Sequence, residues 1–182
     1  MQLKSPRIWA VPAVVAAVTI TLDQLTKLWV VATLGPETMT RFIPLLGDTV
    51  RIAYSHNTGI AFSLLQGHAE LLTLSSLLIV AGAIYFYLTQ LPHHRTFIQV
   101  IMGLIMGGAF GNIIDRVRLG YVVDFISVGW WPLFNLADSA ISIGVTILAA
   151  YLIFVGDEPE PAPRSMPRDD GLLQDLLSKD VD

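Results

Sequence analysis

Four apolar runs, at about 8–34, 69–91, 96–114 and 137–155, dominate this chain of 182 residues. Each is close to the ~20 residues a helix needs to cross about 30 Å of hydrocarbon. A segment in lipid has no water to bond its peptide groups, so such runs must close their hydrogen bonds internally, as helices. Pro12 falls in the first turns of the first run, where a missing N–H is tolerated. Composition agrees: 53% of residues are hydrophobic and 14% charged, against about 25% charged in soluble domains. The expected fold is an all-α membrane protein of four transmembrane helices, occupying 1–156, followed by a tail at 157–182.

The formal charge of −4 belongs to that tail, where eight acids face three bases. The remainder is close to neutral and offers no basic face for nucleic acid. The tail is Pro-rich as well as acidic, a composition that does not fold by itself, and its expected place is the cytoplasm. There is no cysteine, hence no disulfide, thiolate nucleophile or Cys-based metal site. His93 and His94 lie in a short loop without a metal-ligand context, so no metal is expected.

Lys4 and Arg7 ahead of the first apolar run resemble the start of a cleavable signal peptide. The run continues into D-Q-L-T-K-L-W rather than a small-residue cleavage site, and the helical pattern resumes beyond Asp23, so the segment is read as a retained helix. Four crossings put Lys4, Arg7, Arg95, Arg164 and Arg168 on one side. Arg41, Arg51, Arg116 and Arg118 fall on the other. The positive-inside bias places both termini in the cytoplasm, with Trp29, Trp130 and Trp131 marking the outer interface.

The outer segment at 35–67 is too long for a plain connector. In F-I-P-L-L-G-D-T-V-R-I-A-Y, β-type residues flank Gly47-Asp48, a hairpin turn signal. Val50, Ile52 and Tyr54 alternate with Arg51 and Ala53 as in a half-buried strand. A small β-sheet on the outer membrane surface is expected there. The second outer segment, 118–134, reads as a shorter loop containing Asp124.

Acids beside these runs are costly and ask for an explanation. Asp115 lies twenty residues beyond Arg95, or about 30 Å of helical rise, at the outer boundary. Asp138 opens the fourth helix at the same boundary, and Asp23 lies about 23 Å above Ile8 in the first. Three segments thus bring acids to one level. Each also has an ordinary explanation. Asp115 can pair with adjacent Arg116. Asp23 can pair with Lys27 one turn away, or accept bonds from a neighbouring segment. Asp138 can be a first-turn acid favoured by the helix dipole. Asp124 can be a solvated loop acid. Spacing does not choose among these.

The motifs narrow the choice. D-Q-x-T-K (23–27), N-x-G-x-A-F (57–62), G-N-x-x-D-R (111–116), V-D-F (123–125) and F-N-x-A-D (134–138) occur in order. Over about 8–155 the chain resembles lipoprotein signal peptidase, the bacterial type II signal peptidase. The resemblance implies an intramembrane aspartic endopeptidase of the bacterial inner membrane, active near the outer leaflet. It implies cleavage of prolipoproteins before the diacylglyceryl-modified cysteine, with Asp124 and Asp138 as the catalytic pair. Asp115 is then the structural ion-pair acid.

The chemistry is independently sound. Two carboxylates sharing a site hold one proton between them; the ionised member can activate water while the protonated one donates to the oxyanion. No metal or organic cofactor is required. An extended substrate in a dry site needs hydrogen-bond partners, for which Asn57, Asn112, Arg116 and Asn135 are candidates, with Asp23 positioning the group. Gly107, Gly108 and Gly111 either admit chain or lipid close to the third helix or serve ordinary helix packing. The expected partners are prolipoprotein substrates and the bilayer, with the enzyme acting as a monomer. A proton- or ion-coupled transporter would place its acids near the midplane, commonly with repeat symmetry. Neither feature is present. A non-catalytic membrane adaptor would leave the spacing of Asn57, Asn112, Asp124 and Asp138 unexplained.

Overall fold

A computed structural model describes residues 7–35, 42–47, 49–58, 69–92 and 94–155. Asp48, His93, residues 59–62 of the N-x-G-x-A-F motif and the tail at 157–182 lie outside the described residues. Helix α1 spans Arg7–Leu34, α2 Ala69–Thr89, α3 Thr96–Leu119 and α4 Leu136–Phe154. Among the described residues α1 from Ile8, α3 and α4 are long and apolar enough to cross a membrane, while the apolar stretch found in α2, Ser76–Thr89, is shorter. The chain divides into two compact units, Met1–Ala150 and Tyr151–Asp182. Of the second, the described residues are the end of α4 and Val155.

Helix α3 is the centre of the bundle. Its buried residues, among them Ile98, Gly103, Gly107, Gly108 and Asn112, occur on every side, as expected of a helix enclosed by others. Its main neighbour is α1, and α2 packs on it as well. Glycine makes the closest approaches possible. A Cβ on Gly108 would collide with the Ala137 carbonyl oxygen, and one on Gly111 would stand 2.7 Å from Asp23 Oδ2. Of the two expected uses for these glycines, the contacts are those of helix packing. At the far end of α1, Tyr87 donates its hydroxyl to the Ile8 carbonyl at 2.9 Å and stacks edge-on against Trp9.

The third helix runs five residues past its expected end at 114. It stops at Gly120, whose left-handed φ of 80° lets its N–H close on the Arg116 carbonyl, a frequent glycine-dependent helix terminus. The extension carries Asp115 and Arg116 inside the helix rather than just beyond it.

The sheet is larger than the sequence indicated. Strands β1 (Phe42–Leu46) and β2 (Val50–Asn57) form the expected hairpin. Residues read as a loop add β3 (Val122–Val128) and β4 (Trp131–Phe134). All four pair antiparallel in the order β1-β2-β3-β4. Asp124 therefore sits in a strand, which corrects its placement in a loop. V-V-D-F-I-S-V hides its strand character because Val122 to Phe125 are all buried, so the usual polar-apolar alternation is missing. Val123 and Phe125 pack with Val30, Leu34 and Tyr54. Since successive strand side chains face opposite ways, Asp124 is turned away from that cluster.

The register of β2 on β3 slips between Ile52 and Ser55. Ile52 faces Ile126, but Ser55 faces Asp124. Two residues of β2, Ala53 and Tyr54, thus stand against one of β3, a bulge. Had the register continued, Asp124 would share its face with Tyr54 and His56. The slip of one residue exchanges the faces and puts Ser55 and Asn57 beside Asp124.

Candidate active site

The site forms where α1, α3, β3 and the start of α4 meet. Its framework is the first turn of α4, where the opening N–H groups of any helix lack intrahelical acceptors. Here they find acceptors. Asn135 is the N-cap: its Oδ1 accepts the Asp138 N–H at 2.9 Å. Asp138 answers by accepting the Asn135 N–H on Oδ2 at 3.3 Å. This is the reciprocal geometry of a capping box, with Asn and Asp in the two roles. The Ala137 N–H is bonded to Asp23 Oδ1 of α1 at 3.0 Å.

The two expected catalytic acids are joined through the same asparagine. Asn135 Nδ2 donates to Asp124 Oδ1 at 2.7 Å, while its backbone and Oδ1 hold Asp138. Asp124 Oδ2 accepts from Asn57 Nδ2 at 2.9 Å, the contact enabled by the β2 bulge. Asp138 Oδ1 accepts from Asn112 Nδ2 at 2.7 Å. Asn112 Oδ1 in turn accepts from Asn135 Nδ2 at 3.1 Å. Asp124 and Asn112 are buried, and Asn135 has no exposed surface at all. Of the candidates for substrate contact, Asn112 and Asn135 are thus spent on the two carboxylates.

Burial and the neighbouring Asp138 push the Asp124 carboxyl up from its ordinary 3.8 to about 7. The amides of Asn57 and Asn135 and the charge of Lys27 work in the opposite direction. The upward causes win because removing a carboxylate from water costs more than a few neutral donors restore. An acid that titrates near neutrality beside a second acid has the properties of a general acid–base pair.

Behind the pair lies a second group of charges. Lys27 Nζ is 2.8 Å from Asp23 Oδ2 and 2.8 Å from Asp115 Oδ2. Both alternatives for Asp23 hold at once: it pairs with Lys27 one turn away and accepts from α4. The expected partner of Asp115 is corrected. Its ion pair is with Lys27 on α1, not with adjacent Arg116, because successive helical residues point about 100° apart and do not face each other. Asp115 also accepts from Gln24 Nε2 at 2.8 Å and from the Val123 N–H at 3.2 Å, tying α1, α3 and β3 together. Arg116 is half-buried and close enough to feel the charges of Asp138, Asp124 and Asp115.

Two residues at this centre, Lys27 and Gln24, were not among the expected site residues. Both lie in the D-Q-x-T-K motif. The i,i+4 spacing of Asp23 and Lys27 was the available signal, but nothing local pointed to Asp115 as the second partner.

Comparison with known proteins points to one family. The family model for signal peptidase (SPase) II matches residues 15–154. A lipoprotein signal peptidase from Dehalococcoides mccartyi (strain BAV1) is 45% identical over 135 residues, covering 72% of this chain and 82% of its own. One from Halothermothrix orenii is 38% identical over 140 residues, covering 76% and 92%. Among solved structures, a bacterial membrane enzyme determined by the in meso method superposes with a TM-score of 0.70 at 30% identity, covering 82% of this chain and 93% of that one.

Proposed function

The chain belongs to the signal peptidase II family, and from that membership we propose that it removes signal peptides from prolipoproteins by aspartic catalysis, using Asp124 and Asp138. The observation that carries the mechanism is the bridging of the buried Asp124 and the half-buried Asp138 by Asn135, with Asp124 held near neutrality. In this reading the pair shares one proton. The first turn of α4 suits an anion, so the negative charge rests on Asp138 and the proton on Asp124. Asp138 takes a proton from water as the oxygen attacks the scissile carbonyl. Asp124 donates to the developing oxyanion, giving a gem-diol. As the C–N bond then breaks, the proton gained by Asp138 passes to the departing amine and Asp124 regains a proton from a gem-diol hydroxyl.

The cut falls before a cysteine carrying a diacylglyceryl group. A substrate of that kind presents an extended backbone at the membrane surface and acyl chains in the bilayer. The position of the pair at the sheet end of apolar helices suits both demands. Arg116, beside the pair, supplies a positive charge for the developing oxyanion or a donor to a substrate carbonyl. The same reading places the enzyme in the bacterial inner membrane, with both termini cytoplasmic and the site near the outer leaflet. In this reading the enzyme acts as a monomer.

The test is cleavage of a diacylglyceryl-modified prolipoprotein by purified Asp124→Asn and Asp138→Asn variants. Each should lose activity by about 10,000-fold while inserting normally. Normal processing by a well-expressed Asp138→Asn protein overturns the assignment.

A further inference from the structure

Lys27 is a buried charged residue with no part in the reaction just described. It is 3% exposed, and two of its protons are accounted for by Asp23 and Asp115. Holding α1 to α3 needs no more than that. The third is directed at Asn112 Oδ1, 3.2 Å away. An ammonium has three donors and no acceptor, so the group is fully used, and its last bond points toward the reacting pair.

That bond decides how Asn112 is oriented. Its Oδ1 receives both Lys27 Nζ and Asn135 Nδ2, which fill the two acceptor positions of an amide oxygen. Turning the amide over would set its NH2 group against an ammonium and a second NH2 group. The oxygen is thereby locked toward α1, and Nδ2 is left to donate to Asp138 Oδ1. We propose that Lys27 is a positioning residue for peptide hydrolysis, locking the Asn112 amide so that Asp138 always meets a donor from α3; this rests on Asp124 and Asp138 being the reacting pair.

Lys27 touches neither substrate nor water in this role. It acts through Asn112, and its charge also bears on Asp124. Among the described residues, the other charged groups acting on the pair are Asp23 from α1 and Arg116 from α3, with Asp115 of α3 behind them on Lys27. Without Lys27, Asp23 and Asp115 are left as unbalanced anions behind the site, which raises Asp124 further.

The experiment uses the full chain in detergent or lipid with a diacylglyceryl-modified prolipoprotein. Lys27→Met combined with Asp115→Asn removes the ammonium and one of its two acids together, and the new amide retains an acceptor for Val123 or Gln24. The expected result is a thermal midpoint near the parent's, kcat lower by about 100-fold and KM little changed. Lys27→Met alone, which leaves both acids unbalanced, should also move the alkaline limb of the pH profile upward. In an Asn112→Ala background the same Lys27 change should cost kcat little more, because the residue it acts through is gone. Where the Met variant does not accumulate, Lys27→Ala, which likewise offers Asn112 no donor, serves the same comparison. Parental kcat and pH profile in a folded Lys27 variant overturn the proposal, as does an undiminished cost in the Asn112→Ala background. Asp124→Asn run alongside separates the two readings. If it cleaves normally, the catalytic pair is misassigned; if it is inactive while the Lys27 variants are normal, only the role of Lys27 falls.

Discussion

Asn135 and Asp138 cap each other: each accepts the other's backbone N–H, at 2.9 and 3.3 Å, across the first turn of α4. The carboxylate proposed to activate water is therefore also the group that terminates its own helix. Its position is set by backbone geometry rather than by a free rotamer, which is how a reacting group gains orientation without a separate support.

Asn135 combines a cap with an amide donor to Asp124, and substitution can divide these. Asn135→Ser retains a cap acceptor but loses the donor, whereas Asn135→Ala loses both. Thermal denaturation should place the Ser variant about 1 kcal/mol above the Ala variant. Cleavage should fall by about 100-fold in both, since each removes a bond that orients Asp124. Equal stability of the two variants would show that the cap contributes nothing.

Gly108 lies against the Ala137 carbonyl, and Gly82 on α2 meets nothing within 4 Å. Gly108→Ala should push the first turn of α4 away from α3, cost about 1–3 kcal/mol and impair cleavage. Gly82→Ala, on an exposed helix position, should leave cleavage intact and raise stability by about 0.5–1 kcal/mol. Melting curves and cleavage rates of the two variants check this directly.

Asp124 titrates near 7 in the fold against 3.8 ordinarily, so the folded state holds that proton more tightly than the unfolded one. By linkage its contribution to stability is complete below about pH 4 and is lost as pH rises through about 7. Asp124→Asn, which mimics the protonated acid, should be more stable than the parent at pH 8, an advantage that vanishes at pH 4. Cleavage by the parent should decline above pH 7 as the shared proton leaves. Melting temperature and cleavage rate across that range give both curves.

The family match ends at residue 154, and the acids of the tail belong to none of the five motifs. Removing 157–182 should leave the cleavage rate unchanged at equal protein level. A large loss would show that the tail takes part in the reaction or in holding substrate.

Much of this molecule could be read in one dimension. Apolar length locates helices because the bilayer sets a minimum, and the rise per residue carries Asp23, Asp115 and Asp138 to one level without knowledge of packing. The five motifs identify the family. The strand character of β3 was hidden because burial on both faces erases the alternation that marks a strand. Lys27 with Asp23 was visible at i,i+4 spacing. Lys27 with Asp115 was not, since it depends on where α1 and α3 cross.

By itself, then, the sequence determined which segments are helical, which acids reach the same depth, and which family the chain joins. These depend on local spacing and composition. Tertiary structure alone decided the partners: Asp115 with Lys27 instead of Arg116, Asn57 on the Asp124 face through one extra residue in β2, and Asn135 between the two carboxylates. Hydrogen bonds and ion pairs act over about 3 Å, and only the crossing of helices and the register of strands bring residues this far apart in the chain within that reach.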